Sequence, residues 1–137
     1  MLDLAPADIE GIKAAVRDYY EGWYSADPER MRRCLHPRLV KRNVDQDGAG
    51  AWTLDDMGAE DMVAATARRA SRTPLPGYEI DVQDGHGRSA SVRGSSADYI
   101  DYLHLGKFDE QWLIVSALWE DLRSGIDKGT VERTVGE

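Results

Sequence analysis

At 137 residues, with 42% apolar and 31% charged side chains, the chain has the size of one globular domain that needs neither disulfides nor a structural metal to stay folded. Its 25 acidic and 17 basic side chains give a net charge of −8, which repels phosphate backbones and argues against nucleic acid as a partner. The one cysteine, Cys34, excludes an internal disulfide, no run reaches the ~18 apolar residues of a membrane helix, and no signal-peptide pattern opens the chain, so a cytoplasmic protein is expected.

Pro6 suits the first turn of a helix, where its missing N–H costs nothing. Ile9, Ile12, Val16, Tyr19, Tyr20 and Trp23 then recur at spacings of three and four, forming one apolar stripe. Gly22 and Ser25 weaken this helix, and Asp27-Pro28 starts a second, with Asp27 as cap and Pro28 at its first position. Met31, Cys34 and Leu35 are its buried side, and Pro37 discourages helix at His36. Residues 38–44 alternate loosely, as a strand does, and the Asp- and Gly-rich stretch 45–50 reads as a loop. A third helix is predicted over about 58–71, with Met62, Val63 and Thr66 inward, closed by Thr73-Pro74-Leu75-Pro76-Gly77.

From Tyr78 the period changes to two. Tyr78, Ile80 and Val82 alternate, residues 84–87 make a turn, and Ala90 and Val92 alternate in the next strand. Two long strands follow over about 98–108 and 111–120, joined at Asp109-Glu110. Helices followed by a meander of strands give an α+β domain, here a single unit over 1–121 with an exposed C-terminal extension over 122–137.

Three separated motifs carry a resemblance. Asp18-Tyr19-Tyr20-Glu21-Gly22-Trp23 with Asp27-Pro28 comes first, and Leu35-His36-Pro37-Arg38-Leu39-Val40-Lys41-Arg42 second. The third is Asp101-Tyr102-Leu103-His104-Leu105 with Trp112-Leu113-Ile114-Val115 and Leu118-Trp119. In this order they resemble the putative lumazine-binding family of the nuclear transport factor 2-like superfamily, which also holds polyketide cyclases and ketosteroid isomerases. The resemblance implies a nuclear transport factor 2-like cone: three N-terminal helices packed on a strongly curved antiparallel sheet around a pocket, commonly dimerised through the sheet. Relatives carry Asp-Gly in the last hairpin turn, whereas Glu110 does not suit a positive φ. The turn is therefore expected to be longer or bulged, with side-chain parity intact within each strand.

Parity puts Trp112, Ile114, Ser116 and Leu118 on one face of the last strand, and Leu113, Val115, Ala117 and Trp119 on the other. In the strand before it, Tyr99, Asp101, Leu103 and Leu105 form one set. The family's recurrent aliphatic pattern places that set inside, beside Ser116. A carboxylate among leucines needs hydrogen bonds, a cation, water or a raised pKa, so Asp101 is either a structural anchor for Tyr19 or Tyr20 or a catalytic base. Tyr19, Tyr20, Trp23 and Ser116 are candidate ligand contacts, and Trp52, in a Gly-rich loop, is a candidate lid. The outer face, with Tyr102, His104, Val115 and Trp119, is the expected surface of a homodimer.

No metal-ligand spacing, dinucleotide fingerprint, phosphate loop or nucleophile elbow occurs, so neither metal nor cofactor is expected. Three functions remain open: a binding domain for a small apolar or aromatic molecule, a cofactor-free isomerase, dehydratase or cyclase using a pocket carboxylate, and a non-catalytic dimerisation module.

Overall fold

A computed structural model describes residues 2–123. Helix α1 (Pro6–Tyr24) begins with its proline at the first turn, without a side-chain cap on Ala5. Ile12, Val16, Tyr19 and Tyr20 are buried along one stripe, as the spacing predicts. Gly22 is where the chain folds back: a methyl group there would sit 3.1 Å from the backbone nitrogen of Met31, so a larger residue would push the next helix away by a few tenths of an ångström. Helix α2 (Pro28–Cys34) is capped by Asp27, whose carboxylate accepts from the Arg30 N–H at 3.1 Å.

Strand β1 (Leu35–Gln46) runs into a hairpin with β2 (Trp52–Gly58), where the sequence predicts no strand. Its pattern explains the omission, because β2 is an edge strand with no buried position and so carries no apolar alternation. The turn is held by the Asp47 carboxylate, which accepts from the N–H groups of Ala49 and Ala51 at 2.9 Å each. Helix α3 (Ala59–Arg68) follows, shorter than expected because the backbone is already extended at Arg69.

Strands β3 (Tyr78–His86), β4 (Ser89–Ser96), β5 (Tyr99–Phe108) and β6 (Gln111–Asp121) form an antiparallel meander. The six strands make one sheet in the order β2-β1-β6-β5-β4-β3. It is mixed rather than antiparallel throughout: β1 lies parallel to β6, with α3 and the meander as the long connection that parallel pairing needs. The helices cover one face, and the core lies between them and that face.

The final hairpin corrects both parts of the expectation: the turn is not lengthened, and the irregularity lies inside a strand. The turn has two residues, with Asp109 taking the positive φ of 56° and Phe108 pairing with Gln111. The irregularity is in β6: Leu105 pairs with Ile114 but His104 pairs with Ser116, leaving Val115 as an extra residue. This bulge inverts the parity. Trp112 and Ile114 point inward before it, and Ala117 and Trp119 do so after it. Ser116 and Leu118 are thereby turned to the outer face, so the expectations for Ser116 inside and Trp119 outside are both corrected.

The extension expected over 122–137 lies outside the described residues except for Leu122 and Arg123, which hydrogen-bond to Asp98 and to Tyr99 and Asp121. Among the described residues, no helix is long and apolar enough to cross a membrane.

Candidate functional site

Between α1, α3 and the inner face of the sheet lies a small cavity of about 80 Å³. Helix α1 contributes Tyr19, Tyr20 and Trp23, one turn of the stripe that also builds the core. The far wall is Tyr99 of β5 and Trp119 of β6, packed edge to face with ring centres 5.3 Å apart. Met57 and Met62 close the side below α3, and Asp101 and Lys41 are the acidic and basic side chains among the lining residues.

Asp101 stands at the centre of a polar knot. Its Oδ2 accepts from the Tyr20 hydroxyl at 2.7 Å and its Oδ1 from the Tyr19 hydroxyl at 3.1 Å. Two consecutive helical residues reach one carboxylate because their rings splay at 76° to one another. Tyr20 does so by passing over Gly94, the cross-strand partner of Asp101, where a methyl group would lie 2.2 Å from its hydroxyl oxygen. Stacking on Tyr78, with ring centres 5.4 Å apart, fixes the other side of Tyr20. Lys41 completes the knot, donating from Nζ to the Tyr19 hydroxyl. Tyr19 therefore accepts from an ammonium and donates to a carboxylate, and it stands between the two charges.

Burial governs the electrostatics. It raises the Asp101 carboxyl above its ordinary 3.8, opposed by the Lys41 charge and by the two tyrosine hydrogen bonds. It lowers the Lys41 ammonium from its ordinary 10.5, opposed by the Asp101 charge. Tyr19 is pushed well above 10.0, first by burial and then by the adjacent carboxylate, so its proton stays in place as a donor. Each tyrosine has one O–H, and both point to Asp101. Neither hydroxyl is left over to donate to a ligand while the knot is intact.

The structure brings Tyr19, Tyr20, Trp23 and Asp101 of the candidate residues together around the cavity. Trp52 is not among them: it opens the edge strand β2, is 70% exposed, and is absent from the lining. Ser116 is on the outer face, where its hydroxyl lies 3.2 Å from His104 Nδ1. The residue that sequence reasoning missed is Lys41. The signal was available in β1, because Leu39, Lys41 and Asn43 share a face and Leu39 is an apolar residue that must turn inward. Cys34 carries no reactivity here, since burial pushes its thiol up to about 12. Among the described residues, no group of His, Cys, Asp or Glu is placed to hold a metal ion.

The model of one family, described as putative lumazine-binding, matches residues 7–120. The chain belongs to the putative lumazine-binding family. Solved structures similar to this member share its fold at low identity. A nuclear transport factor 2-like protein of unknown function from Methylobacillus flagellatus KT aligns with a TM-score of 0.74 and 18% identity over 88% of this chain and 96% of its own. One from Shewanella baltica OS155 aligns with a TM-score of 0.70 and 19% identity over 87% and 98%. A ketosteroid isomerase-like protein from Erwinia carotovora atroseptica SCRI1043 aligns with a TM-score of 0.62 and 14% identity over 86% and 98%. No curated protein matches the family member significantly. These likenesses make the family member a nuclear transport factor 2-like protein in fold, and identities this low carry nothing further.

Proposed function

We propose that this chain is a cytoplasmic binding domain that takes one flat, apolar or aromatic molecule into the cavity between α1, α3 and the sheet. The observation that carries this reading is the cavity wall. Trp23, Tyr99 and Trp119 offer ring faces and edges, with Met57 and Met62 as adaptable filling between them. The family description, putative lumazine-binding, is in keeping with a flat ring ligand. Trp23 and Trp119 make the test direct, because a ring seated against them quenches their fluorescence. Saturable quenching by a panel of fused-ring molecules, lost in Trp119→Ala, is the expected result. Tight binding of ATP or NAD with no response to any ring compound would overturn it.

Asp101 favours a second reading, a cofactor-free isomerase, dehydratase or cyclase, because it lines the cavity and burial makes it a stronger proton acceptor. Against this stands the use of both its oxygens by tyrosine hydroxyls. Asp101→Asn separates the two readings: a base loses all turnover of a candidate substrate, whereas an anchor leaves ligand quenching in place and lowers stability.

The proposed homodimer surface keeps Tyr102 from the expected set and takes Leu118 in place of Trp119. Tyr102 and Leu118 are cross-strand partners on the outer face, 49% and 43% exposed. Light scattering that gives a dimer for the native chain and a monomer for Leu118→Glu is expected. A monomer at micromolar concentration for both would remove the dimer.

A further inference from the structure

Lys41 is over-supplied with hydrogen-bond donors for what surrounds it. Lys41 is 7% exposed, at the wall of a cavity lined mainly by aromatic and thioether side chains, with Asp101 as the other charged group. An ammonium has three N–H groups. One goes to the Tyr19 hydroxyl, and another meets only Met62 Sδ at 3.6 Å, a weak acceptor. The Nζ atom also lies 5.3 Å from the centre of the Trp119 ring and 4.8 Å from that of Tyr19, so ring faces rather than oxygens fill the rest of its surroundings. Among the described residues no carboxylate touches it directly, because Asp101 is reached only through the Tyr19 hydroxyl. A second unused donor lies on the same wall: the indole Nε1–H of Trp23 is buried without a partner. The acceptors nearby are engaged, with both Asp101 oxygens bonded to tyrosines and the Tyr99 hydroxyl accepting from Arg123 at 3.2 Å.

A buried cation facing apolar walls, with donors in excess, is complementary to an oxygen acceptor carried on a ring. We infer that the natural ligand is an aromatic molecule bearing an anionic oxygen, a carboxylate or an enolate, and that Lys41 is the residue that binds that oxygen. This inference rests on the binding reading above and narrows it. The ring lies against Trp119 and the oxygen meets Nζ, making the contact ion pair that the interposed Tyr19 hydroxyl denies to Asp101. A charge-assisted bond of this kind is about twice as strong as its neutral counterpart, so ligand charge becomes the basis of selection. A cationic ligand would meet Lys41 as a like charge and is excluded.

Three probes with the same fused ring and different substituents test this: naphthoate, acetylnaphthalene and naphthylmethylammonium, titrated by tryptophan quenching into the native protein and into Lys41→Met. In the native protein, naphthoate should bind about tenfold or more tightly than the ketone, and the ammonium should not bind. Lys41→Met, which keeps the length and apolar stem, should reduce naphthoate to the level of the ketone and leave ketone binding intact. Ketone binding also reports whether the variant is folded. Should it be lost, Lys41→Gln takes its place, keeping a donor but not the charge, and the same flattening is expected. Equal binding of all three probes by the native protein, or a naphthoate preference that survives the loss of Lys41, would overturn the inference while leaving the binding domain standing. Absence of binding by every probe would instead remove the binding reading itself.

Discussion

Two carboxylates on opposite sides of α1 are served by similar numbers of donors, yet their surroundings give them opposite character. Asp101 receives Tyr19 and Tyr20 from the inner face of the helix and is 2% exposed. Asp18, adjacent in sequence to Tyr19, faces outward and receives Arg30 Nε at 2.7 Å and the Arg33 guanidinium at 2.9 Å. Burial works against the Asp18 charge as well, but hydrogen bonds from Arg33 and Arg30 outweigh it and hold the carboxyl below its ordinary 3.8. At Asp101 burial wins and the carboxyl rises. The difference lies in the donors and in water: Asp18 is met by two guanidinium cations, of which Arg33 is 64% exposed, whereas Asp101 is met by two neutral hydroxyls in a buried cluster that depends on its own members.

That dependence predicts the largest effect. Asp101→Ala leaves two buried hydroxyls without their common acceptor and the Lys41 ammonium without its counter-charge, and should cost about 3–5 kcal/mol, as removal of one member of a buried charged cluster does. Urea denaturation followed by tryptophan fluorescence measures it. A loss below about 1 kcal/mol, the usual value of an exposed pair, would mean that the two clusters are energetically alike after all.

A second perturbation breaks the inner cluster without touching any of its members. Gly94→Ala puts a methyl group 2.2 Å from the Tyr20 hydroxyl oxygen and 2.8 Å from its ring, so the tyrosine must move off Asp101. Overpacking of this sort costs about 1–3 kcal/mol. Combining it with Tyr20→Leu should give less than the sum of the single effects, because the smaller side chain vacates the contested space. Strict additivity in thermal unfolding would show that Gly94 acts by some route other than Tyr20.

The inner cluster also marks where sequence reasoning succeeds and where it stops. The stripe of α1 and the alternation of β5 were legible because burial on one side imposes a period, and that period already set Tyr19, Tyr20 and Asp101 apart. Strand β2 was not legible, since an exposed edge strand has no buried face to write a pattern. Trp119 and Ser116 were assigned to the wrong faces for a different reason. A bulge at Val115 needs no glycine or proline, so nothing in Ile114-Val115-Ser116-Ala117 announces the inversion. The parallel pairing of β1 with β6 is a contact between distant segments, and local periodicity does not encode it. Lys41 was within reach, but a lysine in a loosely alternating strand reads as a solvent-facing charge until the apolar Leu39 two residues earlier is used to fix the face.

The smallest expected effect is at Asp18, and pH sharpens it against the inner cluster. Asp18→Asn weakens a half-buried, partly solvated ion pair and should cost only about 0.2–1 kcal/mol near neutral pH. A carboxyl whose folded value is depressed adds stability above its unfolded value of 3.8, and that stability is lost as pH falls through the folded value. The cost of Asp18→Asn should therefore shrink towards zero as the solution is acidified below about pH 4. Asp101 titrates in the opposite sense: its folded value is raised, so between that value and 3.8 the folded state takes up a proton that the unfolded state does not, and acidification favours folding. Asn at that position cannot take up the proton, so the cost of Asp101→Asn should grow as pH falls from neutral towards 3.8, before the Asp18 effect sets in, with Lys41, Tyr19 and Tyr20 unchanged around it. Urea denaturation of the native chain and both variants, near neutral pH, near pH 4 and near pH 3, gives the two slopes directly. Slopes of the same sign would mean that water reaches Asp101 as it reaches Asp18, and the contrast between the two sides of α1 would fall with it.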